Sequence, residues 1–376
     1  MKIFVTVARV ISGVLFIFSG VVKAIDPKGL AYKMQEFFEA WSGSGFMPGL
    51  MKTFDTYALP FSIIMITLEV IVGVALLVGF QKKLTTWVLF LLILFFTFLT
   101  AYVLFTGKIR ACGCFGDCIP LTPIQTFSKD IILLILSIVL LTNTRYISPI
   151  AKPLFSFLYV LAATLLIIWL QWYVLRNLPL VDCLPYKKGS DIVALQKMPA
   201  NAIPDKYEYS FIYKKAGVQQ EFKADATPDS SWEFVDRKQT LTQKGSNNIP
   251  VISDFSLTTE SGNDSTTAIL NTLGEYYLLY IKDIESYPLG WSEDATLLER
   301  VLKNGKKMFV VTSQIKKVKE HFKAYKNLGQ VLPKIIFLSC DATVMKTVAR
   351  ANPTLYLMNG PVVKNKLSWT SFKNIN

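Results

Sequence analysis

Apolar and polar positions divide this chain into two halves of different physics. In the first, five apolar runs of bilayer length follow one another: Phe4–Ala24, Tyr57–Gly79, Leu84–Thr106, Phe127–Leu141 and Leu154–Val174. A helix rising ~1.5 Å per residue needs roughly 20 apolar residues to cross ~30 Å of hydrocarbon, and each run reaches or nearly reaches that length. The pattern predicts five membrane spans. The first run has the basic start of a secretory leader, with Lys2 and Arg9. However, Val22-Lys23-Ala24 is no small-x-small cleavage site, so it reads as a retained span.

The second half is mixed and polar. A linker rich in Pro, Lys and Gly (Pro185–Pro204) leads to three strand-like runs, Tyr207–Lys214, Val218–Ala224 and Trp232–Lys238, which predict a small antiparallel β meander. Beyond Ile249, strands and helices alternate. The runs are Tyr276–Ile281, Glu293–Leu302, Lys307–Thr312, Ile315–Tyr325, Lys334–Ser339, Ala342–Ala351, Thr354–Met358 and Pro361–Lys364, the signature of an α/β layer fold. The expected organisation is a bundle over 1–145, a fifth helix over 146–176, a linker and meander over 177–248, and an α/β domain over 249–376.

Lysine and arginine in the short links set the expected orientation. Lys2 and Arg9 open span 1, Lys82 and Lys83 fill the link between spans 2 and 3, and Arg145 and Lys152 flank the link between spans 4 and 5. These ends belong in the cytoplasm. The chain is then an integral inner (cytoplasmic) membrane protein with a cytoplasmic N-terminus. Residues 25–56, the loop 107–124 and everything after Arg176 lie on the extracytoplasmic, periplasmic side. Lys108, Arg110, Lys28, Lys33 and Lys52 on that side count against this assignment. The formal charge of +13 then points to anionic lipid headgroups rather than nucleic acid, for which no module is visible.

The loop between spans 3 and 4 carries the chemistry: Cys112-Gly-Cys114-Phe-Gly-Asp-Cys118, three of the chain's five thiols. With Cys183 and Cys340 they fall outside the spans, on the side where disulfides persist. Five is odd, so at least one thiol is free or pairs between molecules. A Cys-x-Cys disulfide closes a small strained ring, which makes it a labile oxidant. Two readings stay open: a redox-active loop of Cys112, Cys114 and Cys118, or a loop bridged to Cys183 as a static brace. No metal is expected, because the single histidine, His321, lies in a lysine-rich helix and the loop lacks paired zinc knuckles.

Glu69 sits inside span 2, where an ionised carboxylate needs a partner or water. Lys23, Arg110 and Asp130 lie near the same leaflet. The carboxylate either orients the bundle through a buried pair, serves a proton- or quinone-facing site, or snorkels at the lipid edge. Ser12, Gly13, Ser19 and Gly20 give span 1 a small-residue face suited to close helix contact.

Ser19-Gly-Val-Val-Lys23-Ala-Ile-Asp26-Pro27, Glu69 followed by Gly73, and Cys112-Gly-Cys114-Phe-Gly-Asp117 ahead of Leu121-Thr-Pro and Lys129-Asp130 together resemble the DoxX/MauE superfamily over residues 1–143. The resemblance implies a four-helix membrane bundle in redox work: MauE-like members with disulfide formation in partner proteins, DoxX-like members with quinone-coupled sulfur chemistry. The bundle is also similar to the DsbB and vitamin K epoxide reductase types. It departs from those two in having no cysteine within a span, which speaks against direct quinone reduction. Asp254-Phe-Ser-Leu with Gly262, and Ala351-Asn-Pro353 ahead of Thr354–Met358, look like a thioredoxin-fold domain of the TlpA or MauD kind, with Pro353 as its cis-proline. Where that family places its dithiol, after Ile281, this chain has Lys282-Asp-Ile-Glu-Ser-Tyr-Pro-Leu-Gly-Trp291 and no cysteine. The soluble domain is therefore expected to be redox-dead, and Cys340 to be a buried small apolar residue.

The expected function is support of thiol-disulfide chemistry on envelope proteins. Cys112 and Cys114 exchange electrons while the soluble domain holds a client or a thioredoxin-like partner. The competing class is a non-enzymatic scaffold in an envelope assembly.

Overall fold

A computed structural model describes residues 1–109, 113, 115–215, 217–243, 245–287, 301, 305–324, 333 and 335–374. Five helices are long and apolar enough to cross a membrane: α1 (Lys2–Ile25), α4 (Ala58–Val78), α5 (Lys82–Thr106), α6 (Pro123–Thr142) and α7 (Pro153–Arg176). Each matches its predicted run to within about a turn at either end. Thr122 starts α6 with a reciprocal cap, its side chain accepting from Gln125 N–H while the Gln125 side chain accepts from Thr122 N–H.

α1 and α4 pack closest, through the small residues the sequence singles out. A Cβ on Gly73 would lie 2.8 Å from the Gly13 carbonyl oxygen, and one on Gly20 would lie 2.5 Å from Val70. Only backbones without side chains can approach so nearly. At the other end of this pair Arg9 is buried and donates to the carbonyls of Leu76 (2.7 Å), Leu77 (2.6 Å) and Ser148 (2.8 Å). A cation there meets the carbonyl end of α4 and ties down the link before α7. α7 itself exposes most of its apolar side chains, Phe155, Leu158, Leu165 and Trp169 among them, as a lipid-facing helix does.

Residues 25–56, read from sequence only as an external loop, are mostly helical: α2 (Pro27–Gly43) and α3 (Pro48–Thr56). Their apolar positions are interleaved with Lys, Glu and Gln, so neither forms a run long enough to register as a span. Met34, Phe37, Phe38 and Trp41 fall on one face of α2 at helical spacing and turn towards the bundle.

Beyond α7, strands β1 (Lys206–Lys215), β2 (Val218–Lys223) and β3 (Glu233–Gln243) form the expected small antiparallel sheet, with a different order from a chain-order meander. The long β1 is central, giving β2-β1-β3, because β3 pairs along nearly the whole of its second edge. The second sheet has β4 (Glu275–Tyr280), β5 (Lys307–Thr312), β6 (Ile336–Ser339), β7 (Thr354–Asn359) and β8 (Val362–Ser368) in the order β6-β5-β4-β7-β8. β4, β5 and β6 are parallel; β7 runs antiparallel to β4, and β8, antiparallel to β7, points the same way as β4. Tyr276, Leu278 and Tyr280 pack into one apolar layer and Tyr277 and Leu279 into the other, so β4 is buried on both faces. The predicted helix Glu293–Leu302 lies, save for Val301, outside the described residues.

Candidate functional site at the junction of bundle and soluble domain

The soluble domain meets the bundle near the end of β4 and the segment that leads into β7. Asn352–Pro353 is a cis peptide immediately before β7, beside the end of β4. No thiol occupies the following loop. Instead the Asn352 side chain accepts from Lys282 N–H (2.9 Å) and donates to the Asp283 carbonyl and to Ser286 Oγ (3.1 Å), so an amide holds the segment in place.

Arg350, in the apolar stretch that leads into this cis-proline, is the centre of the junction. Its side chain is 6% exposed. Nε donates to Asp26 Oδ2 at 2.7 Å and Nη2 to Asp117 Oδ2 at 3.1 Å. Asp26 has this role because it is also the N-cap of α2, accepting from Gly29 N–H, and so is fixed between two helices. Asp117 comes from the thiol loop. Two acids from separate motifs of the membrane half therefore meet on one guanidinium of the soluble half. Tyr32 of α2 adds to the contact: Arg350 stacks on its ring at 5.1 Å, and Lys282 donates to its hydroxyl at 2.8 Å. Lys346 reaches Gln35 at 3.1 Å, and Lys28 donates to the Arg350 carbonyl.

Cations outnumber acids here, and the burial has its electrostatic price. Burial first, and the neighbouring cations next, push Lys28 down to about 7 and Lys282 down to about 8. Burial raises the Tyr32 phenol. Behind the junction, Lys366 of β8 pairs with Asp182 at 2.9 Å, and Thr370 donates to Asn177 at 2.6 Å, seating the last strand on the segment that leaves α7.

Cys118 is bonded to Cys183, joining the thiol loop to that same segment. Of the two readings left open by the sequence, the bridge to Cys183 is present for Cys118, which therefore carries no free thiol. Cys112, Cys114 and Arg110 lie outside the described residues. Gly113, between the two cysteines, lines a small cavity together with Gly116, Asp117, Cys118 and Cys183. An open cleft of about 430 Å³ adjoins it, bounded by Tyr32, Lys33, Glu36, Cys183, Lys346 and Arg350.

Glu69 is 1% exposed and Lys23 5%, and they pair at 2.5 Å. Ser19 Oγ donates to the second carboxylate oxygen at 3.1 Å, and the Lys23 ammonium lies 4.9 Å from the Phe96 ring centre. Asp130 stands apart from this pair, accepting from Thr100 (3.1 Å) and Lys129 (2.5 Å). Of the three side chains expected near Glu69, Lys23 is its ion-pair partner, and Asp130 has its own cation one residue away. Cys340 is buried in the soluble core, and the loss of hydration pushes its thiol up to about 12. Among the described residues, no three His, Cys, Asp or Glu side chains gather as a metal site.

Sequence reasoning missed Arg350 and Tyr32. A signal for Arg350 was present: it is a lone charge in the run Val348-Ala-Arg-Ala351 directly before Pro353, where the pattern otherwise asks for an apolar residue.

Residues 1–143 match the family described as methylamine utilisation protein MauE, and residues 207–244 match a domain of unknown function. Protein TlpB of Flavobacterium psychrophilum is 40% identical over 83 residues, which is 21% of this chain and 23% of that protein. The match thus spans about a quarter of that curated relative. No solved structure matches. The chain joins a MauE-like membrane domain to a thioredoxin-like α/β domain.

Proposed function

We propose that this protein supports thiol-disulfide exchange on envelope proteins, with Cys112 and Cys114 as the exchanging pair and the soluble domain as the part that holds a client or a thioredoxin-like partner. The observation that carries the reading is the pinning of the thiol loop. Asp117 and Cys118, three and four residues after Cys114, are tied to Arg350 and Cys183 beside an open cleft, which supports a thiol loop held close to the soluble domain. In this reading a client thiolate attacks the Cys112–Cys114 disulfide and forms a mixed disulfide. The client's second thiolate then displaces the loop sulfur. The client gains a disulfide and the loop becomes a dithiol, two electrons having moved; the reverse swap reduces a client. The Cys118–Cys183 bond keeps the loop in place throughout. The orientation that suits this chemistry puts the N-terminus in the cytoplasm and the junction on the extracytoplasmic side.

The alternative is a non-enzymatic scaffold. It is favoured by the same Cys118–Cys183 bond read as one of several braces, and by the replacement of the dithiol by Asn352 contacts. Trapping separates the two. Cys114→Ser leaves Cys112 able to start an exchange and unable to complete it, so a mixed disulfide with a partner accumulates in the membrane under the exchange reading. A scaffold captures nothing with Cys112→Ser or Cys114→Ser, and its thiols keep one redox state under oxidising and reducing conditions.

A further inference from the structure

Away from the junction, α2 and α3 cross over the ends of α4 and α5 and enclose a second, quite different space. Phe38 and Trp41 of α2, Met51 and Phe54 of α3, Met65 of α4 and Leu99 of α5 line an apolar slot of about 350 Å³. The rings pack on one another, Phe38 against both Trp41 and Phe54, so the walls are fixed by aromatic contacts. Ile64 and Phe46, which also line the slot, are 62% and 58% exposed. Its size suits a small-molecule site.

The slot adjoins a polar mouth. A hollow of about 480 Å³ shares Phe38 and Met51 with it and is otherwise bounded by Glu39, Ser42, Lys52 and Asp55 among others. Asp55 Oδ1 is enclosed there and accepts no hydrogen bond among the described residues. An enclosed carboxylate oxygen without a donor is costly, and the mouth is where a donor would have to come from. One cation stands beside two acids.

From this we infer a lipid seat: the slot takes one acyl chain of an aminophospholipid of the phosphatidylethanolamine type. The phosphate meets Lys52, and the primary ammonium donates to Asp55 and Glu39. The chemistry selects among amphiphiles. A choline head has no N–H to offer Asp55. A quinone ring presents carbonyl oxygens that only accept. An anionic glycerol head brings a negative charge to two acids balanced by one lysine. The seat also has a mechanical role, because α2 carries the slot on one face through Phe38 and Trp41 and the junction on another through Tyr32 and Gln35. A bound lipid fixes the depth at which α2 presents the junction.

The test uses the full chain, reconstituted in parallel into vesicles of phosphatidylethanolamine with phosphatidylglycerol and of phosphatidylcholine with phosphatidylglycerol. It is then extracted in mild detergent, and the retained lipid is measured by native mass spectrometry. Wild type retains a phosphatidylethanolamine from the first and no phosphatidylcholine from the second. Asp55→Ala, a change at the mouth that leaves the helix core intact, lowers retention about tenfold, as loss of a charge-assisted hydrogen bond demands. Met65→Trp fills the slot and abolishes retention. Equal retention of both lipids, retention unchanged in Asp55→Ala, or a quinone held in place of the lipid overturns the proposal. None of these outcomes bears on the cysteine chemistry, which trapping tests separately.

Discussion

Replacing Arg350 by Met should release the soluble domain from the bundle, and the cost can be worked from the contacts. Arg350 is 6% exposed, whereas Asp26 is 22% and Asp117 39% exposed. The Asp26 bond is short, charge-assisted and mostly shielded, worth about 2–3 kcal/mol. The Asp117 pair is more than a third exposed on one side and is screened to about 0.5 kcal/mol. The bond from Nη1 to the Lys346 carbonyl lies within the soluble domain and survives undocking, so it does not count. The total of about 3 kcal/mol is about two decades in the docking equilibrium. Hydrogen exchange followed by mass spectrometry, on the reconstituted chain, reads this as faster exchange over residues 27–43 and 342–349, with the β4 and β5 core unchanged. Arg350→Lys keeps the charge but loses the planar fork, and should fall between wild type and Met. If Met exchanges like wild type over both segments, Arg350 is not what holds the two halves together.

Three further outcomes follow from the same contacts. Glu69→Gln keeps an acceptor for Lys23 and Ser19 and should fold, whereas Glu69→Leu strands a buried ammonium and should cost about 3–5 kcal/mol in thermal unfolding of the detergent-solubilised protein; equal tolerance of both would place the carboxylate in contact with water or lipid heads. Lys28 is pushed down to about 7 in the folded chain, so below pH 7 it is buried as a cation at full cost. As pH rises from 7 towards the unfolded value of about 10.5, the unfolded state holds the proton that the folded one has lost. Exchange protection at the junction should therefore grow from pH 6 to pH 9, and Lys28→Met should flatten that slope. A reporter fused after Arg176 should be active only outside the cytoplasm if the basic links orient the spans, and a cytoplasmic signal would invert the assignment.

Much of the fold is legible because its causes are local. Bilayer-length apolar runs mark all five spans, and alternating short apolar runs mark β4, β5, β6 and β7. What escaped is set by partners distant in sequence. α2 and α3 are amphipathic and lie against other helices, so their apolar residues never form a run. The place of β1 in the small sheet depends on which neighbour offers the longer edge. In the site, Glu69 and Lys23 could be singled out because a charge inside a span is itself anomalous, and Asp130 entered the same group by depth alone. Depth does not fix rotation about the helix axis, and Asp130 faces Thr100. Arg350 belongs to a soluble domain, where an arginine is unremarkable until Asp26 and Asp117 arrive from more than 200 residues away.

The bond between Cys118 and Cys183 also turns part of the chain into a closed ring. It encircles α6, the link to α7, and α7 itself, 65 residues apart by sequence. α7 shares few buried side chains with its neighbours, so sliding or tilting in the bilayer is resisted by its ends more than by its flanks. One end is the short link tied down by Arg9, and the other is this covalent knot at the opposite rim. A cut anywhere inside the ring would leave the pieces travelling together until a reductant parts them, and a reductant alone would let the last helix drift. The sulfur bridge thus sets the mobility of a whole transmembrane segment.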